Sequence, residues 1–544
     1  MRTKITRSLR LLALLAVLPA AACNGEDRPP RNAAVVELTA NTSLGRWLEP
    51  LVSEYNDSRP ETPAGERIYV DLSLADSGAA AAAIIAGEAA PDLWLPEMAV
   101  WAEVAADQGA ADYRADCQSV ARSPLVIAMW RPFAEALGWP AAELGWLDIG
   151  SLAADPGAWS YYTGAEGDSL RLGQTHPGLS GSGAATLLAL VHAAEGRVQA
   201  VSSEQINQPI VQASVAAFES PVAWFSPDTA GLAQTMAERG QGYLGAAVMY
   251  ESNAIANSPD IVPIYPFEGT FIADHPACLS AVSQGEEREA ALAFRQHLLA
   301  EEAQAAASAA GLRTAAGGAA AAELPNGQNV DLSQPAVVFD PPSVEAIYAV
   351  QELWQTARKD VNLVMLLDVS GSMEGDKIEN AREAAAEFVR QMGDEDYLSL
   401  VAFNHELFLL SDRQQVGPAR DQLVATIEGL EAGGDTFLYD AIGYGSELIA
   451  QAGLPDAANA LVILSDGEDT GSERHSFNQE LIDLAAGNDT AVFVIAYGDD
   501  ADEEDLSDIA LGANGNFFLG DEASIAAIYE DMSAAFGGTV GVGR

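Results

Sequence analysis

Hydrophobic and polar residues follow two rhythms along this chain. Near-continuous apolar runs of strand length recur, each ending in polar turn residues. The clearest are V-N-L-V-M-L-L at 361–367 and L-V-I-L at 461–464. Such runs predict strands buried on both faces of a parallel sheet. A-V-V-E-L-T from residue 34, 68–74 and S-P-L-V-I-A-M at 123–129 predict further strands. Between them the apolar spacing turns helical. Leu44, Trp47, Leu48, Leu51, Val52 and Tyr55 share one face behind the cap Asn41-Thr42-Ser43. Ser77-Gly78 opens an alanine-rich helix, the Gly-rich run 173–183 leads into a helix over 184–194, and 343–358 is amphipathic. The alternation predicts an α/β chain.

At 544 residues there is room for two or three domains, and a hydrophobic fraction of 49% is ample for their cores. The net charge of −52 argues against nucleic acid or anionic lipid surfaces as partners. The acidic run 499–505 lacks the glycine and terminal Glu of an EF-hand loop and reads as a solvated face.

The first residues say where the chain goes. Arg2, Lys4, Arg7 and Arg10 precede an apolar run over 11–22, too short to span a bilayer as an ordinary helix. Ala20, Ala21 and Ala22 then lead into Cys23. This is a secretory signal. Ala-Ala-Ala-Cys resembles a bacterial lipobox, with Ala20 where Leu is commonest. The resemblance implies cleavage before Cys23 and lipidation of its thiol, with simple cleavage as the alternative. The expected product is extracytoplasmic and touches the cell membrane through its lipid anchor only. If Cys23 carries lipid, Cys117 and Cys278 remain. A pair in an oxidising compartment suggests one disulfide, which spacing alone does not prove.

Candidate chemistry lies in the last third. Asp368-Val-Ser370-Gly-Ser372 follows a buried strand and so occupies the loop at its carboxyl end, where open α/β sheets hold ligands. One carboxylate and two hydroxyls at alternate positions are hard oxygen donors suited to Mg²⁺. G-G-D-T-F-L-Y-D-A places Thr436 and Asp440 just before a helix, and L-V-I-L-S-D delivers Asp466 to the end of another strand. Each segment alone could be only a turn.

Together, in this order, these segments resemble the von Willebrand factor type A domain with its metal-ion-dependent adhesion site, over about 362–536. A-N-G-N-F-F around Asn514 is similar to that family's last strand. The resemblance implies that Ser370, Ser372 and Thr436 ligate Mg²⁺ or Mn²⁺ through their hydroxyls. Asp368 and Asp466 would act at least partly through water. Neutral donors leave the cation charge to spare, and an open position then attracts an acidic side chain of a partner protein. Asp440 is either an orienting residue behind the ligands or a first-turn helix acid.

The first half resembles the type 2 periplasmic solute-binding proteins of ABC transporters. The resemblance rests on S-P-L-V-I-A-M, T-H-P-G-L-S-G-S-G and Y-P-F-E-G-T-F-I-A-D-H-P. It implies a two-lobed module over 34–316, with lobe 1 at about 34–120 and 280–316 and lobe 2 at about 130–265. Hinge segments would lie near 120–130 and 265–280. Cys117 and Cys278 flank these on one side, which makes a disulfide at the hinge base credible. The implied site is the cleft, where facing helix starts would hold a small polar or anionic solute. Thr42, Ser43, Ser77 and Gly78 would serve from lobe 1, and Ser180, Gly181 and Ser182 from lobe 2, with Tyr250 and Asn253 as further candidates. Ordinary helix capping is the alternative for each. His176 reads as a loop-shaping residue, and Trp94 and Trp101 as core.

A Gly/Ala/Pro/Asn-rich segment over 317–343 predicts a loosely ordered linker, followed by a helix and then the metal-site domain at 358–540. No nucleophile elbow, P-loop or zinc-protease motif occurs, and six histidines leave few candidates for acid–base work. The expectation is a lipid-anchored binding protein, not an enzyme, that grips a partner protein through its metal site. The alternative is a solute receptor for an ABC permease.

Overall fold

The computed structural model describes residues 29–544 except 165–168, 317–323, 453, 455–456, 499–500, 514, 539–540 and 543–544. The signal segment and Cys23 lie outside the described residues.

Three sheets organise the described residues. The first belongs to lobe 1. Ala33–Ala40 lies between Arg67–Leu74 and Leu93–Leu95, all parallel, and Pro276–Leu279 and Cys117–Ser119 add antiparallel to the edge. Cys117 and Cys278 are directly opposite in that last pair and are disulfide-bonded. The staple therefore sits in the sheet of lobe 1, at the point where both chain segments leave for lobe 2.

Ala121–Trp130 is the spine of the second sheet. It pairs with Ala246–Tyr250, Ile261–Ile264, Ile272–Ala273 and the returning Arg313–Thr314. The crossing segment is thus an ordered strand of lobe 2, paired from its first residue onward, where the sequence suggested a hinge.

The third sheet runs Leu407–Gln415, Tyr397–Phe403, Val361–Asp368, Ala458–Ser465, Ala491–Tyr497, Phe517–Gly520, parallel throughout except for the first strand. Its central strand is buried along all eight residues. Strand alternation sends Leu363, Met365 and Leu367 to one face, against the helices Asp376–Gln391 and Ile525–Ala535. Val364 and Leu366 go to the other face, against Leu438–Ala452 and Glu503–Gly512. Two covered faces explain why the run is continuously apolar.

The segment between the halves differs from the expected loose linker. Over 324–343 it is laid along lobe 2. Thr270 exchanges hydrogen bonds with Val337 and Phe339, and Arg313 donates to the carbonyl of Gln334. Phe339 is buried and stacks on His192 at 4.3 Å between ring centres. Composition concealed this, because one buried aromatic ring anchors a segment that is otherwise small and polar. The helix Val344–Ala357 that follows packs on lobe 2 helices and reaches lobe 1, where Gln108 donates to the Tyr348 hydroxyl at 3.0 Å. It is part of the first module's body as well as the entry to the third sheet.

Candidate metal centre and the inter-lobe cleft

The centre is built at the carboxyl ends of the third sheet's strands. Val361–Asp368 ends in Asp368, whose side chain is fully buried. One of its oxygens accepts from the Ser370 N–H at 2.8 Å and the other from the Ser465 hydroxyl at 2.6 Å. Burial pushes this carboxyl above the ordinary range, and the bonds from Ser465 and Ser370 oppose the rise. The Ser370 and Ser372 hydroxyls are 2.9 Å apart, and Ser372 donates to Asp466 at 2.6 Å.

Thr436 arrives on a second loop. A Cβ on Gly467 would lie 3.7 Å from both the Thr436 and the Ser372 hydroxyls. Backbone bonds tie the loops together, from Gly371 N–H to Gly434 and from Gly433 N–H to Val369. Gly434 has a φ of +97°, and a Cβ there would strike the His405 ring, so this turn needs glycine. Asp440 accepts from the backbone N–H groups of Glu473, Arg474 and His475, holding the segment after Asp466 against its own helix.

Two features escaped sequence reasoning. Ser465 braces Asp368 from a neighbouring strand, and Lys377 donates to the second Asp466 oxygen at 2.6 Å. Lys377 lies in the first turn of the helix after the Ser loop, a position that could have been inspected.

Three hydroxyls and two carboxylates converging from three loops suit a hard divalent cation such as Mg²⁺ or Mn²⁺. Asp368, Ser370, Ser372, Thr436 and Asp466 are the residues that could hold it. Among the described residues no cluster of three or more His, Cys, Asp or Glu is placed to hold a metal, so any cation here relies on hydroxyls.

The cleft of the first module is closed, and its helix starts already hold carboxyl groups supplied by the chain. Asp76 precedes the helix Ser77–Ala86 in lobe 1. One of its oxygens accepts from Asn41 at 2.9 Å and Thr42 at 2.5 Å. The other crosses to lobe 2 and accepts from the Ser180 hydroxyl and from the Thr229 N–H and hydroxyl, at 3.1 and 2.9 Å. Glu97 accepts from Asn41 at 2.7 Å and from the Gly181 N–H at 3.1 Å, while its own N–H donates to Ser77. Ser43 bonds to Asn41, and Ser182 joins a hydroxyl cluster with Thr175, Ser180 and Thr229.

Of the residues singled out for a solute, Thr42, Ser43, Ser77, Ser180, Gly181 and Ser182 are therefore gathered around Asp76, Glu97 and Asn41, and Gly78 faces the Gly178 carbonyl. The helix-start N–H groups are taken by carboxyl groups from within the chain. Burial pushes Asp76 up to about 6, aided by the charge of Asp228, and pushes Glu97 well above the carboxylate range. Tyr250 OH, Trp101 Nε1 and Glu97 Oε2 are buried nearby without a hydrogen-bond partner in the structure, and Asn253 Oδ1 is likewise buried without one. A cavity of about 770 Å³ lies elsewhere, between the helix Val344–Ala357 and lobe 2.

Comparison with known proteins agrees with this division. Residues 36–313 match the family described as bacterial extracellular solute-binding protein, and residues 362–531 match the von Willebrand factor type A domain. An uncharacterised protein of Synechocystis sp. is 30% identical over 164 residues, 29% of this chain and 37% of that protein. An inter-alpha-trypsin inhibitor heavy chain of Mus musculus is 28% identical over 32% of this chain and 20% of its own length. The chain thus spans well under half the length of either relative. Among solved structures, a von Willebrand factor type A protein from Catenulispora acidiphila is 22% identical with a TM-score of 0.31, covering 33% of this chain and 43% of that one. A periplasmic thiamin binding protein is 12% identical with a TM-score of 0.45, covering 61% and 98%.

Proposed function

Since the chain belongs to the bacterial extracellular solute-binding protein family and carries a von Willebrand factor type A domain behind that module, we propose that it is an extracytoplasmic binding protein, anchored by lipid at Cys23, that grips an acidic side chain of a partner protein through a metal ion. Asp368, Ser370, Ser372, Thr436 and Asp466 would hold Mg²⁺ or Mn²⁺. The cation supplies a charge that an outside carboxylate can share. The chain's residues do the rest. Ser465 and the Ser370 N–H fix Asp368, and Asp440 steadies the loop beyond Asp466.

The observation that carries this reading is the convergence of the Ser370, Ser372 and Thr436 hydroxyls with Asp466 on one sheet edge. The solute-receptor alternative has less support, because Asp76 and Glu97 already take the helix-start donors that an anionic solute would need.

The test uses the soluble chain starting after Cys23 as bait for surface proteins of its own cells. Capture should need Mg²⁺ or Mn²⁺ and should be lost with EDTA or with Asp368→Ala. Capture that survives both treatments would sink the reading.

A further inference from the structure

One short loop, residues 175–181, carries hydrogen bonds to three parts of the chain. Toward lobe 1, the Leu179 carbonyl accepts from the Ala79 N–H at 2.8 Å. A Cβ on Gly78 would lie 2.3 Å from the Gly178 carbonyl, so only glycine permits this approach of the lobes. Ser180 and the Gly181 N–H hold Asp76 and Glu97. Toward the metal-site domain, the Gly178 carbonyl accepts from the Val542 N–H at 2.9 Å. His176 takes the Gly178 N–H on Nδ1 at 3.0 Å, so its Nε2 carries the proton and donates to the Gly538 carbonyl at 2.9 Å. Leu179 packs on Ala534. Toward the connecting helix, the Pro177 carbonyl accepts from Gln351 at 2.9 Å.

The same helix ties the three bodies together a second time. Tyr348 meets Gln108 of lobe 1, and Trp354 donates to Glu219 of lobe 2 at 3.1 Å. Arg358, just past its end, pairs with Asp396 of the metal-site domain. Lobe 2 also reaches that domain directly, through Arg239 to the Asn516 side chain at 3.2 Å.

We propose that the first module is a clasp closed by its own carboxylates, Asp76 and Glu97, and that opening its lobes and releasing the C-terminal segment of the metal-site domain are one coupled event, joined at loop 175–181. The Gly178 carbonyl makes the coupling physical, since it touches lobe 1 on one side and the C-terminal segment on the other. Asp76 and Glu97 give the starts of the helices Gly181–Glu195 and Thr229–Arg239 the acceptors that their free N–H groups need. Closure therefore needs no solute. A displacement of the loop that accompanies lobe opening withdraws the acceptor of Val542 and the partner of Gly538. Coupling of this kind is reciprocal, so loosening the C-terminal segment must also loosen the lobes. This inference goes beyond the metal-site reading and does not depend on it.

Hydrogen exchange followed by mass spectrometry on the soluble chain starting after Cys23 tests both directions. In Asp76→Ala, protection should fall at least about tenfold both in peptides carrying Ala79 and Thr229 and in the peptide carrying Val542. In a chain ending at Phe536, the peptides carrying Ala79 and Thr229 should lose protection by a similar factor. Loosened lobes with a fully protected Val542 peptide overturn the coupling, and so does an unchanged cleft in the shortened chain. If Asp76→Ala leaves both regions protected, closure by Asp76 is wrong. Should Asp76→Ala fail to fold, the shortened chain decides alone, because its deletion lies outside the cleft. Metal binding is read separately, so failure here is distinct from failure of the metal-site proposal.

Discussion

The Lys377 ammonium sits 2.6 Å from one oxygen of Asp466, while the other oxygen of that carboxylate takes the Ser372 hydroxyl at 2.6 Å. Asp466 is fully buried and Lys377 is a quarter exposed, so the lysine reaches in from the rim to neutralise an interior charge. A divalent cation among Ser370, Ser372 and Thr436 would compete with that ammonium for the same carboxylate. Removing the lysine relieves the repulsion and also leaves Asp466 without its counter-charge until metal arrives. Both effects favour binding. Lys377→Met should tighten Mn²⁺ binding by about tenfold, equivalent to about 1.4 kcal/mol. Isothermal titration of wild type and variant checks this, and weaker binding by the variant would show that Lys377 supports the site.

Arg358 and Asp396 form a bidentate pair whose side chains are 3% and 2% exposed. Asp396 also accepts from the N–H groups of Val361 and Gly393, so it organises the start of the central strand. Losing the arginine strands a buried carboxylate. Arg358→Met should destabilise the metal-site domain by about 3–5 kcal/mol in urea unfolding, whereas an exposed pair such as Arg390–Glu387 should contribute less than about 1 kcal/mol.

The central strand and the Asp-x-Ser-x-Ser loop were legible in the sequence because their information is local. Spacing alone puts Ser370 and Ser372 on one loop at a strand end, and burial on both faces makes Val361–Asp368 continuously apolar. Asp76 and Glu97 were not legible. Their partners Ser180, Gly181 and Thr229 lie 84 to 153 positions away and meet them only when the lobes close. The segment over 324–343 misled for a related reason. Small and polar residues say nothing about a path set by Phe339 docking beside His192.

The Cys117–Cys278 bridge closes a loop of 161 residues that carries most of lobe 2. Cross-linking so long a loop restricts the unfolded chain strongly, which predicts about 3–5 kcal/mol of stabilisation on the loop-entropy account. Cys117→Ser should lower the urea midpoint of the first module accordingly. The metal-site domain has its own two-sided core, so its transition should move little. A shift confined to the metal-site domain would contradict this assignment.

Buried acids and histidines together set a stability optimum for the first module. Burial raises Glu219 to about 8 and Asp76 to about 6. An acid raised in the folded state binds its proton more tightly there than in the unfolded chain. Its contribution is complete below the ordinary carboxylate range and is lost as pH rises through the folded value. Burial lowers His176 to about 4 and His275 to about 3. For these bases the stabilisation is complete above about 6.5 and is lost as pH falls toward the folded values. Opposed slopes make stability fall toward both acid and alkaline pH, and Glu219, together with the raised Glu97, drives the decline toward pH 8.5. Glu219→Gln keeps an acceptor for the Trp354 indole N–H and removes the titrating group. Urea unfolding at pH 6 and pH 8.5 should show wild type less stable at the higher pH and the variant with a clearly smaller difference. An equal or larger difference in the variant would assign the alkaline loss to other groups.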